Sequence, residues 1–83
     1  MSTVAGGPFT RLRQRIKVLT TAGRLVKSGD LKSGMSNEDM SLVIAAAMLD
    51  DDPAMGDDPQ FDWAALIALI IQMLPLILAL FGL

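Results

Sequence analysis

Residues 63–83 read WAALIALIIQMLPLILALFGL, a run from Trp63 to Leu83 in which Gln72 is the single polar side chain. At a rise of 1.5 Å per residue, such a helix is about 31 Å long, close to the roughly 30 Å thickness of a bilayer's hydrocarbon. It is apolar around its whole circumference, unlike a surface helix with one apolar stripe. Phe61 and Trp63 stand at its polar end, where aromatic residues favour a membrane–water interface. A chain of 83 residues has little other apolar surface with which to wrap this helix, because small domains bury a modest share of their surface. The expected setting is a membrane or the core of a protein oligomer. Gln72, Pro75 and an end without a charged anchor suit the second; the length and the all-round hydrophobicity suit the first. Pro75 cannot donate to the carbonyl of Ile71, which predicts a kink.

One side of the helix stands out. Ala64, Ala68, Gln72, Pro75 and Ala79 recur at spacings of three and four, and Gly82 continues the row. Small residues let helices approach closely, and an amide among them can hydrogen-bond across the contact. This row is expected to face another helix, in a second copy or another subunit, with Leu66, Ile70 and Ile77 pointing elsewhere.

Ahead of it lies an acidic linker, residues 50–60, with Asp50, Asp51, Asp52, Asp57 and Asp58, two prolines and one glycine. Asp58-Pro59 is a good helix start, with an acid at the cap and proline at the first helical position, and Asp62 is a second cap. The C-terminal element therefore covers 61–83. The acids invite a calcium site, but a loop starting at Asp50 puts Met55 where the EF-hand needs glycine and Phe61 where it needs glutamate. No metal or cofactor is expected. The linker reads as a solvated spacer or a docking strip for a basic surface, the chain's own basic helix included.

Segment 29–49 is a turn and a second short helix. Ser36 starts that helix, with Asp39 three residues on in a weaker form of the capping box. Met40, Val43, Ile44, Ala47 and Met48 form its apolar face. It is expected to end near Leu49, since Asp50–Asp52 oppose the negative helix end and Pro53 breaks the ladder. Segment 10–28 is a basic amphipathic helix capped by Thr10. Its apolar stripe runs Phe9, Leu12, Ile16, Leu19, Gly23, Val26. Arg11, Arg13, Arg15, Lys17, Arg24 and Lys27 lie mostly off that stripe, and Gly29 fits just beyond its end. Segment 1–9 is an N-terminal loop without the basic and apolar regions of a secretory signal.

The net charge of −2 hides a division. All seven basic residues fall between Arg11 and Lys32, and eight of the nine acids fall from Glu38 onward. With Asp30 counted, residues 1–32 carry 7 − 1 = +6 and the rest −8. A charge split of this kind points to an interaction arm. The basic helix is suited to packing on a partner, to an anionic lipid surface, or to nucleic-acid phosphates; no base-reading motif accompanies it.

Little points to catalysis. The chain has no His and no Cys, which removes the commonest general base, the thiolate nucleophile and the commonest metal ligands. Paired carboxylates need distinct environments to act as acid and base, and these acids sit together. Gly6-Gly7-Pro8 lacks the Lys-Ser/Thr of a phosphate loop. The sequence thus implies an all-α protein: two short amphipathic helices, an acidic linker and one long apolar C-terminal helix, transmembrane or oligomer-core. The expected function is a non-enzymatic structural or assembly subunit of a membrane complex. The alternative is a minor structural protein of a virus or similar particle, with a basic arm near nucleic acid. Expected partners are other subunits or copies of itself, a lipid bilayer, and nucleic acid through the basic helix. The basic half would lie on the cytoplasmic side, or inside the particle.

Overall fold

The computed structural model describes the backbone of residues 8–59 and 61–83, and side chains from residue 12 onward. The fold is all-α. Four helices follow in order: α1 (Pro8–Ser28), α2 (Asn37–Asp51), α3 (Pro53–Asp57) and α4 (Trp63–Phe81). The three long helices pack pairwise on one another, and α3 rests against α2.

Each boundary has a local cause. Helix α1 begins at Pro8, two residues ahead of the expected Thr10 cap, because the fixed φ of proline suits a first helical position. It ends where Gly29 turns left-handed at φ 86°. The amides of Asp30 and Leu31 then reach back to the Leu25 carbonyl at 3.0 and 3.1 Å, and Leu31 tucks into the core. Helix α2 starts at the expected cap: the Ser36 hydroxyl accepts from the Asp39 amide at 3.1 Å. It runs to Asp51 rather than Leu49. Two of the three aspartates that should oppose its end are met by cations of α1: Lys17 Nζ lies 3.1 Å from Asp52 Oδ2, and Arg24 pairs with Asp51. Pro53 stops α2 as expected but also opens α3, so the linker holds a helical turn.

Helix α4 starts at Trp63, not at Pro59. Asp58 and Phe61 close a turn instead, with the Phe61 amide on the Asp58 carbonyl at 2.9 Å. Asp62 caps the helix by accepting from the Ala65 amide at 3.2 Å. The helix continues through Pro75 and ends at Gly82, where the Leu83 amide bonds to the Leu78 carbonyl at 3.0 Å.

The core joins Val18, Ala22 and Leu25 of α1, Leu31 of the following turn, Met40, Ile44, Ala45 and Met48 of α2, and Leu66, Ile70, Met73, Leu74 and Ile77 of α4. The α2 face agrees with the sequence reading, with Val43 and Ala47 half-buried at its margin. The α1 face does not. At 100° per residue, the buried arc of Val18, Thr21, Ala22 and Leu25 is rotated roughly 130° from the expected stripe. Helix α1 is wedged against both α2 and α4, and small side chains there let the helices approach. Leu19, Gly23 and Val26 are half-buried, while Leu12 and Ile16 are exposed.

Candidate functional site

Helix α4 presents two unlike sides. Leu66, Ile70, Met73, Leu74 and Ile77 are buried against the α1–α2 hairpin. The opposite side is open. Ala64, Ala68, Gln72, Pro75 and Ala79 are all exposed, as are Trp63, Ile71, Leu76 and Leu80 among the large apolar residues. The hairpin takes the bulky aliphatic face and leaves the small-residue row outermost. Only 28% of the most apolar stretch of α4 is buried within the chain. The core helix of a soluble protein is mostly buried by its neighbours. It is the one helix among the described residues long and apolar enough to cross a membrane.

Two grooves flank this open side. Between α2 and α4, Leu42, Trp63, Ala64, Ile67, Ala68 and Ile71 line an apolar depression of about 480 Å³, with Glu38 and Ser41 at its edge. The Ser41 hydroxyl donates to the Glu38 carbonyl at 2.8 Å, so its polarity is satisfied locally. Phe61 stacks obliquely on Trp63, ring centres 6.2 Å apart, at the start of the helix. Between α1 and α4, a smaller depression of about 250 Å³ brings Gln72 beside Gln14 and Arg15. Sequence reasoning missed the first groove. Its signal was Leu42, a large apolar residue off the apolar face of α2.

The basic helix divides in two. Lys17 and Arg24 are engaged by Asp52 and Asp51. The hydrogen bond that Arg24 donates to the Asp51 carboxylate, and then that carboxylate's charge, raise the Arg24 pKa above its ordinary value. Arg13, Arg15 and Lys27 are exposed and enter no ion pair among the described residues. The side chain of Arg11 lies outside the described residues. The acidic linker is therefore partly a docking strip for its own basic helix. Among the described residues, no three His, Cys, Asp or Glu side chains gather where they could hold a metal ion.

Compared with known proteins, the chain matches no family model, no curated protein and no solved structure at a significant level. The site must be read from its own chemistry.

Proposed function

We propose that the protein is a non-enzymatic, small structural subunit that α4 holds in a membrane complex. The observation that carries this reading is the open side of α4: a 19-residue apolar helix whose own chain covers one face only. Water is a poor neighbour for the remainder, at about 25 cal/mol for each Å² of apolar surface. A bilayer or the helices of partner subunits would remove that cost.

The packing sets one condition. Helix α1 lies against α4 with Arg13, Arg15, Lys17, Arg24 and Lys27 exposed on it. A charge at mid-bilayer costs about 2.5–3.5 kcal/mol on insertion-derived scales, so the hairpin cannot accompany α4 across the hydrocarbon. Spanning requires α4 to leave the hairpin, trading contacts at Leu66, Ile70, Met73, Leu74 and Ile77 for lipid or for partner helices. The hairpin then remains at the surface as the assembly domain.

Extraction of membranes with high salt and then with alkaline carbonate tests the reading. Retention in the pellet through both steps is expected. Release by carbonate would overturn it in favour of a particle component or a protein-only oligomer.

A further inference from the structure

We infer that the N-terminal half of α1 is a docking strip for the anionic surface of a lipid bilayer, with Leu12 and Ile16 entering the interface between Arg13 and Arg15. The inference rests on the membrane reading and adds to it a second contact, one that the fold makes in its packed form.

The strip exists because the fold does not use it. Leu12 and Ile16 sit one turn apart, each 53% exposed, while α1 buries its other side from Val18 onward. At 100° per residue, Arg13 and Arg15 fall on either side of the Leu12–Ile16 row. Neither arginine enters an ion pair among the described residues, whereas Lys17 and Arg24 are engaged by Asp52 and Asp51. The fold thus neutralises two of the later cations of α1 and leaves the earlier pair uncompensated beside the exposed aliphatic side chains. Thr20, the next turn of this surface, donates its hydroxyl to the Ile16 carbonyl at 2.8 Å, so it asks nothing of a partner.

Aliphatic side chains bracketed by cations suit one class of surface. In a helix lying at a bilayer, the apolar row enters the acyl boundary and the arginine stems follow it inward while their heads reach the phosphates. A nucleic-acid backbone would satisfy Arg13 and Arg15 but leave Leu12 and Ile16 in water. Each arginine near an anionic leaflet contributes about 1 kcal/mol, so losing both should weaken binding about 30-fold.

The chain has no cysteine, so an Ile16→Cys variant of the full chain takes a single environment-sensitive fluorophore, and Trp63 reports independently on α4. The expected result is a blue shift at position 16 with vesicles containing phosphatidylserine and none with phosphatidylcholine alone. The Arg13→Gln/Arg15→Gln change should shift the lipid titration about 30-fold, with an unchanged helical circular dichroism spectrum. A shift of Trp63 without one at position 16 would overturn the docking strip and leave the anchor reading standing. A shift at position 16 with Trp63 unchanged would support the strip and count against the anchor. A response at position 16 to duplex DNA or RNA but not to vesicles would overturn the strip in favour of nucleic acid. Silence from both reporters would overturn both.

Discussion

Gly23 of α1 lies against the ring of Phe81 at the end of α4, so close that a Cβ at residue 23 would stand 3.2 Å from both Cε1 and Cζ. The absent side chain lets the two helices meet there, and Phe81 closes one end of the α4 seat. A glycine inside a helix is about 1 kcal/mol less favourable than alanine, so its presence marks a packing need.

Two substitutions measure that need. Gly23→Ala should be close to neutral in urea denaturation, its gain in helix propensity offset by crowding of the ring. Gly23→Leu should destabilise by about 1–3 kcal/mol through overpacking, and adding Phe81→Ala should restore part of that loss. Because residue 23 is not on α4, Gly23→Leu should also raise the fraction of protein inserted in vesicles. Unaltered insertion in a destabilised Gly23→Leu protein would show that the hairpin does not compete with lipid for α4.

The ion pairs of α1 should matter less than their geometry suggests. Lys17 and Asp52 are 54% and 41% exposed, and Arg24 and Asp51 are 55% and 50% exposed. Such pairs contribute about 0–1 kcal/mol and are screened by salt. Lys17→Gln should lower stability by less than about 1 kcal/mol, and Arg24→Gln should move the denaturation midpoint only slightly, with smaller effects of both in high salt. Asp51 raises the Arg24 pKa, so this cation's contribution is complete at neutral pH and is lost only as pH climbs through that raised value. Denaturation midpoints should therefore not respond to Arg24 titration anywhere in the neutral range; a midpoint that fell there in the parent and not in Arg24→Gln would contradict this.

Insertion is best tested where it is separate from folding. Leu74 has the apolar surroundings that make arginine costly, but it is 1% exposed in the core, so Leu74→Arg would damage the fold as well. Leu76 is 48% exposed on the open side. Leu76→Arg should leave the melting curve within about 0.5 kcal/mol of the parent and cost about 2.5–3.5 kcal/mol on insertion. Carbonate-resistant retention equal to that of the parent would argue strongly against a spanning α4.

Association along the small-residue row can be read by crosslinking. In membranes, Ala68→Cys should crosslink between neighbouring α4 helices while Ile70→Cys, whose parent side chain is fully buried against the hairpin, marks the other face. Ala68→Leu should weaken association with little effect on folding. Gln72→Leu should cost about 0.6–2 kcal/mol of association if its amide bonds across the contact. Crosslinks at position 70 but not at 68 would place the contact on the wrong side for this row.

Much of the fold was legible because its causes are local. The Ser36 and Asp62 caps are side-chain bonds to amides three residues away, and Gly29 ends α1 by its own backbone freedom. The face of α2 followed from Met40, Ile44 and Met48 alone. Less local causes were hidden. The buried arc of α1 depends on Thr21 and Ala22, whose small size serves close packing but carries little weight in a hydrophobic pattern, so the larger Leu12 and Ile16 drew the stripe away. The extension of α2 to Asp51 depends on Lys17 and Arg24, more than 25 residues distant. Asp58-Pro59 had the chemistry of a helix start, yet Asp62 had it nearer to the apolar run. The open row of α4 was visible as spacing; the exposure of Leu12 and Ile16 beside unpaired arginines needed the tertiary structure.

Pro75 has one more effect, on hydrogen-bond supply. It gives the carbonyl of Ile71 no N–H, and the next residue, Gln72, carries two spare amide hydrogens. Both Ile71 and Gln72 are on the exposed side of α4, and Gln72 is the midpoint of Trp63–Phe81. In water each group is hydrated at little cost. In hydrocarbon an unmet polar group costs several kcal/mol, so a donor or acceptor from elsewhere becomes valuable at that one depth. A lone α4 would carry a wet notch halfway through the bilayer, and helices set side by side at the same height could fill it for one another.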